Sequence, residues 1–144
     1  MNANNGADEW IRKGNALYAQ RQYAEAIECY NKALAANPKE IDALYNKGGA
    51  LLALGKYAES NECFNKIIEA KAEGFGVWNN KGLAFHGLEK YAAAIRCYEK
   101  ALALNPNCAD CWYNKGASLR ALGKKEESDK CLNIYQRLKK LARA

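Results

Sequence analysis

Threonine is absent from the 144 residues, and histidine and methionine occur once each. With threonine goes the Val, Ile and Thr alternation that marks β-strands, so an all-helical chain is expected. Proline stands only at Pro38 and Pro106, which leaves long stretches free of the residue that breaks helices. No run approaches the roughly 18 apolar residues of a membrane span, and MNANNGADEW lacks the apolar segment of a signal peptide. A cytoplasmic protein without membrane contact follows as the expectation. Catalytic signatures are missing as well: there is no Walker phosphate loop, no GxGxxG, no GxSxG and no HExxH. His86 has no nucleophile and orienting acid at a readable spacing. The chain is therefore read as a non-enzyme with no cofactor.

Cysteine is not scarce, yet its arrangement argues against metal. Four of the six, Cys29, Cys63, Cys97 and Cys131, recur at one spacing. Neighbouring copies of a packed helical unit place such positions roughly 10 Å apart, beyond the ~7 Å limit for bridged Cα atoms. They read as small, partly buried thiols of a reducing compartment. Cys108 and Cys111 form one isolated CxxC, whereas a structural zinc site wants four ligands. Metal and redox chemistry are not the expected reading of that pair.

What the chain does contain is repetition, in a composition that is 49% apolar and large enough for one domain of ordinary size. WIRKG at Trp10 returns as LYNKG at Leu44, WNNKG at Trp78 and WYNKG at Trp112. Cut at Ala7, Ile41, Phe75 and Ala109, the sequence falls into four units of 34 residues without a gap. A period of that length signals stacked helical hairpins. The expected organisation is a polar tail over 1–6, one domain over 7–142 made of repeats 7–40, 41–74, 75–108 and 109–142, and a short end at 143–144. Each repeat divides into two helices of about 14 residues, joined at LYAQRQY, LLALGKY, FHGLEKY and LRALGKK.

Gly14, Gly48, Gly82 and Gly116 fall inside the first helices, where glycine costs about 0.5–1 kcal/mol relative to alanine. Four such costs at one register imply a steric need. Small residues Ala26, Ser60, Ala94 and Ser128 sit at a matching register of the second helices, so close approach is expected there. Trp10, Leu44, Trp78 and Trp112, with Leu17, Leu51, Phe85 and Leu119, supply bulk on the first helices. Tyr30, Phe64, Tyr98 and Leu132 face them from the second.

This pattern of bulky, glycine, bulky, small, aromatic and small residues with a closing proline resembles the tetratricopeptide repeat (TPR) family, over residues 7 to 142. The resemblance implies a right-handed α-solenoid of four helix-turn-helix hairpins, about eight helices, with a concave groove that binds other proteins. By family register that groove takes Arg12, Asn15, Tyr45, Asn46, Asn79, Asn80, His86, Tyr113, Asn114 and Arg120, together with Asp8, Ile11, Tyr18, Asp42, Leu52, Leu83 and Asp110. Asn46, Asn80 and Asn114, with Arg12 in the equivalent place, form an expected row. A primary amide both donates and accepts, so such a row can hold the backbone of an extended peptide, as in similar asparagine ladders of the O-linked sugar transferases. The alternative is that these amides simply remain hydrated. Chaperone-binding members need cations where this chain has Ile11, Gly76 and Asn80, so chaperone C-termini are not expected partners although Asn15 and Asn46 match.

Departures from the family pattern carry further expectations. Lys13, Lys47, Lys81 and Lys115 stand just before the glycines; their stems should cover the neighbouring helix while the ammoniums reach water, with a basic ladder for acidic partners as the alternative. KAEGFGVW lacks the proline at Ala72 and adds Gly74 and Gly76, predicting the loosest joint of the array. In the fourth repeat Asp129 and Gln136 replace the apolar stripe of Ile27 and Leu34 or Ile95 and Leu102, as a terminal repeat requires, and with Met1 at the start a whole small protein is expected.

The net charge of +6 is uneven: 0 over residues 1–40, −1 over 41–74, +2 over 75–108 and +5 over 109–144. Cations on the last helix suit the negative end of its dipole. No stacking surface or base-reading motif accompanies them, so nucleic acid is not the expected partner. The leading functional reading is a non-catalytic adaptor that takes an extended peptide or a partner helix in its groove. The rival is a self-assembling unit that forms homo-oligomers.

Overall fold

Every hairpin turn in the chain passes through one residue with positive φ: Arg21 (61°), Gly55 (75°), Glu89 (60°) and Gly123 (79°). The left-handed conformation suits glycine and costs other residues, so the hairpin turns of repeats one and three carry a backbone cost that those of two and four avoid, while Lys71 (57°) carries it in the joint after the second hairpin. In the computed structural model, which describes residues 3–144 and the side chains from residue 6 onward, these turns separate eight α-helices among the described residues. They are α1 (Ala3–Ala19), α2 (Tyr23–Ala36), α3 (Ile41–Ala53), α4 (Tyr57–Glu69), α5 (Phe75–Gly87), α6 (Tyr91–Leu104), α7 (Ala109–Ala121) and α8 (Lys125–Arg143). Helix α1 begins ahead of the first repeat and takes in residues 3–6 of the expected polar tail; residues 1 and 2 lie outside the described residues.

The chain divides into two compact units, 1–72 and 73–144, and the division falls in the glycine-containing joint that lacks proline. In the first unit α1 pairs with α2, α3 with α4, and α2 packs on α3; in the second α5 pairs with α6, α7 with α8, and α6 packs on α7. Asn37 and Asn105 make the same turn between hairpins. Each side chain accepts the amide two residues on, from Lys39 and Asn107 respectively, at 3.2 Å. Both are local asparagine turns of the kind that compete with helix continuation.

The core of the first unit gathers Ala7, Ile11, Ala26, Tyr30, Ala33 and Ala43, with Trp10, Leu17 and Leu34 packed against them. Its aromatic centre explains the repeated glycines. A Cβ on Gly14 would lie 2.6 Å from the Tyr30 ring, and one on Gly48 2.6 Å from the Phe64 ring; at Gly82 the Tyr98 ring would be met in the same way. At Gly116, Leu132 stands back at 3.3 Å. The close approach expected at the small residues is thus made by the rings of the facing helix, while two of the small residues add a polar tie. Ser60 Oγ donates to the Gly48 carbonyl at 2.8 Å, and Ser128 Oγ to the Gly116 carbonyl at 2.7 Å. Ala26 and Ala94 hold these positions in the other two hairpins.

Burial pushes the Tyr30 phenol up to about 12, and the phenol of Tyr98 is also raised by burial. Tyr30 donates to Asn15 Oδ1 at 2.7 Å. Leu83 replaces that asparagine in the third repeat, and the buried Tyr98 hydroxyl lacks a well-formed hydrogen bond among the described residues, with the Ser118 hydroxyl nearby. No helix among the described residues is long and apolar enough to cross a membrane.

Candidate functional site

The sequence places Arg12, Asn46, Asn80 and Asn114 once per repeat on the first helices, and within each unit the structure ties one of them to an asparagine outside that row. In the first unit Asn46 on α3 donates from Nδ2 to Asn15 Oδ1 on α1 at 3.0 Å, the same oxygen that accepts from Tyr30. In the second, Asn114 on α7 donates to Asn79 Oδ1 on α5 at 3.0 Å. A primary amide has two N–H groups and two carbonyl lone pairs, and each of these contacts spends one N–H of Asn46 or Asn114. Their carbonyl oxygens accept no side-chain or backbone hydrogen bond among the described residues. Asn80 lies half-buried on α5.

His86 and Tyr113 occupy less expected settings. His86 Nδ1 lies 2.8 Å from Ser118 Oγ on α7, and its ring meets Tyr91 edge-on at 5.0 Å. Neither Ser118 nor Tyr91 carries a motif that would have marked it in the sequence. Ser118 is fully buried, so this pair ties α5 to α7 and is not an exposed nucleophile. Tyr113 is 50% exposed and lies 5.2 Å from the Tyr135 ring of α8, which makes a two-ring surface. Tyr45 is half-buried, its ring packed edgewise on Phe64 at 6.3 Å. Arg12 is exposed, and Arg120 reaches Asp129 at 3.7 Å through an exposed ion pair worth little in water. Ile11, placed on the groove wall by family register, is instead buried in the core of the first hairpin with Ala7, Tyr30 and Ala43, on the same face of α1 as Asn15, which lies one turn further on and accepts from Tyr30.

The repeated lysines do more than cover a helix. Lys13 lies 4.7 Å from the Trp10 ring centre and Lys32 4.2 Å from it. Lys81 and Lys100 flank Trp78 at 5.2 and 4.4 Å, and Lys115 approaches Trp112 at 5.6 Å. Cation–π contacts of this kind contribute about 0.5–1 kcal/mol at exposed sites. Asp129 and Gln136, expected to cap the array, are exposed.

Contrary to the expectation for that pair, Cys108 and Cys111 are joined as a disulfide across the first turn of α7. Cα atoms 5.3 Å apart fall within the bridging range. Cys29, Cys63, Cys97 and Cys131 are buried free thiols. Burial pushes the thiols of Cys63, Cys97 and Cys131 up, against the pull of neighbouring lysines. Thiolate is the reactive form, so iodoacetamide at neutral pH is expected to leave these three largely unmodified in the native protein and to alkylate them fully in guanidinium. Mass spectrometry after a fixed interval checks this; equal modification in both conditions contradicts it. Among the described residues no cluster of three or more His, Cys, Asp and Glu side chains is placed to hold a metal.

Three tetratricopeptide repeat models match the chain, over residues 11–75, 76–108 and 97–130. The chain belongs to the tetratricopeptide repeat family. Its fold is similar to MamA 41-end from Desulfovibrio magneticus RS-1, with a TM-score of 0.87 at 21% identity over 93% of this chain and 76% of that one. It is also similar to TTC0263, a thermophilic TPR protein of Thermus thermophilus, with a TM-score of 0.80 at 22% identity over 92% and 74% of the two chains. Among curated proteins none matches. The all-α architecture of paired hairpins is that of the family, whose repeats typically mediate protein–protein interaction and are generally non-catalytic.

Proposed function

We propose that this TPR protein is an adaptor that receives an extended peptide of a partner protein along the first helices of its repeats. The observation that carries the reading is the pairing of amides in each unit. Asn15 and Asn79 hold Asn46 and Asn114 by one N–H each and thereby fix the orientation of two amide groups. Fixed donors and acceptors favour binding because less side-chain entropy is lost on association. Main-chain recognition of this kind gives affinity, and side-chain choice falls to neighbouring groups. Tyr113 with Tyr135 supplies an aromatic anchor of the sort that dominates interface energetics.

The test compares the wild type with an Asn46→Ala, Asn80→Ala and Asn114→Ala triple variant of unchanged helicity. Specific partners captured from native lysate by the wild type, then identified and titrated as peptides, are expected to lose affinity by about 1–3 kcal/mol in the variant, the cost of leaving backbone groups unpaired. Identical affinity for the same identified peptides would make the amides scaffold, and binding would then have to be sought elsewhere.

A further inference from the structure

Three of the four repeats place a tryptophan four residues before the glycine of the first helix, and the second repeat has Leu44 there. The contacts around those tryptophans define what an indole needs. Trp112 Nε1 donates to the Pro106 carbonyl, six residues before it, at 2.9 Å. Lys32 and Lys100, each 22 positions after its tryptophan, cover the Trp10 and Trp78 rings at 4.2 and 4.4 Å.

Around Leu44 the two kinds of contact, made separately by Trp112 and by Trp10 and Trp78, have their counterparts together, and the ring is missing. The turn that precedes α3 repeats the one that precedes α7. Asn37 and Asn105 share φ of −145°, with ψ of 99° and 91°. Glu40 and Cys108 donate their amides back to the carbonyls of Asn37 and Asn105 at 3.1 and 3.2 Å. Pro38 therefore presents its carbonyl as Pro106 does, six residues before Leu44. Lys66 stands 22 positions after Leu44, where Lys32 and Lys100 stand in their repeats, and it is exposed. Between them lies a hollow of about 390 Å³, lined by Pro38, Ile41, Leu44, Lys66 and Ala70 among others. That is within the size range of small-ligand sites. Leu44 is 3% exposed and forms its floor.

We propose that this hollow between α3 and α4 is a docking site for a tryptophan side chain presented by a partner protein. The indole would lie over Leu44, donate its N–H to the Pro38 carbonyl and take the Lys66 ammonium on its face. A phenylalanine would forfeit the hydrogen bond. A second copy of this chain does not supply the ring, since Trp10, Trp78 and Trp112 are each half-buried or buried and held by lysines of their own repeats. The site is also independent of the amide row. Leu44 and Asn46 are two positions apart on α3, roughly 200° around the helix, so failure of one reading leaves the other standing.

The experiment is a titration of the full chain with N-acetyl-L-tryptophanamide, followed by amide and side-chain NMR shifts. The expected result is saturable shifts at Ile41, Leu44, Lys66 and Ala70, a response to the phenylalanine analogue that is several-fold weaker, and a loss of about 2–5-fold in affinity in Lys66→Ala, the size of an exposed cation–π contact. Leu44→Trp fills the hollow from within. It is expected to melt no lower than wild type, to show an indole N–H resonance protected from exchange, and to abolish the shifts. Ala70→Glu, on the exposed rim, serves as a second blocking variant that leaves the core untouched and decides the matter if Leu44→Trp does not fold. Shifts centred elsewhere, an equal response to both analogues, or binding that survives the blocking variants would each overturn the proposal.

Discussion

Phe64→Ala is expected to lower the stability of the first unit by about 3–5 kcal/mol, the usual cost of deleting a buried aromatic ring. The ring is fully buried. It fills the space opposite Gly48, where even one added carbon would stand 2.6 Å from it, and it carries the edge of Tyr45. Its removal therefore leaves a cavity bounded by helix backbone, which relaxes poorly, and takes away the support of a residue on the proposed peptide surface. Urea denaturation followed by circular dichroism measures the loss. A change below about 1 kcal/mol would mean that the α3–α4 hairpin closes over the gap and that its packing is less constrained than the glycine contact indicates.

The second large effect is a contrast between two glycines of the same unit. At Gly82 an added Cβ would press into the Tyr98 ring, which has 0% exposure and no room to withdraw. Overpacking costs typically about 1–3 kcal/mol, the contact here being the tightest of the four glycines, and the helix gains roughly 1 kcal/mol from replacing glycine, so Gly82→Ala is expected, from the upper end of that cost, to be destabilising by about 2 kcal/mol. At Gly116 the nearest atoms belong to Leu132 at 3.3 Å, a half-buried side chain that can rotate. There the helix gain offsets the strain, and Gly116→Ala is expected to stay within about 1 kcal/mol of wild type. Midpoints of chemical denaturation for the two variants, compared at equal slope, check the difference. Equal losses at both positions would show that the ring is not what demands glycine.

The repeat period and the glycine register were legible because each rests on local physics repeated in the sequence. Helix hairpins of fixed length must return to the same face, and a residue that weakens a helix at four equivalent places needs a reason. What meets the glycine was harder to see. The facing small residues suggested backbone against backbone, whereas the contact is made by Tyr30, Phe64 and Tyr98 reaching across. Ile11 was misplaced because a register carried over from a family assigns a side of the helix without knowing how far the neighbouring hairpin covers it. The pattern before the glycines suggests covering stems; that the ammoniums of Lys13, Lys81 and Lys115 lie over indole rings depends on side-chain placement within the turn, which the spacing alone does not give. The bridge between Cys108 and Cys111 depends on both residues sharing the first turn of α7, one as its cap, a detail set by where the helix starts. Leu44 looked like an ordinary substitution among bulky residues, and only the repeated turn and the lysine 22 positions on give its smaller size a meaning.

The hairpin turns alternate along the chain. Arg21 and Glu89 take the left-handed turn position in the odd repeats, Gly55 and Gly123 in the even ones. The serine ties to a glycine carbonyl occur at Ser60 and Ser128 alone among the four equivalent positions, in the even repeats, and the prolines at Pro38 and Pro106 close the odd ones. Each of these features recurs after two repeats and skips the one between. In these respects the repeating unit of the chain is a pair of unlike hairpins, so a variant that removes or adds a single hairpin would set two like turns side by side, whereas one that removes or adds a pair would keep the alternation.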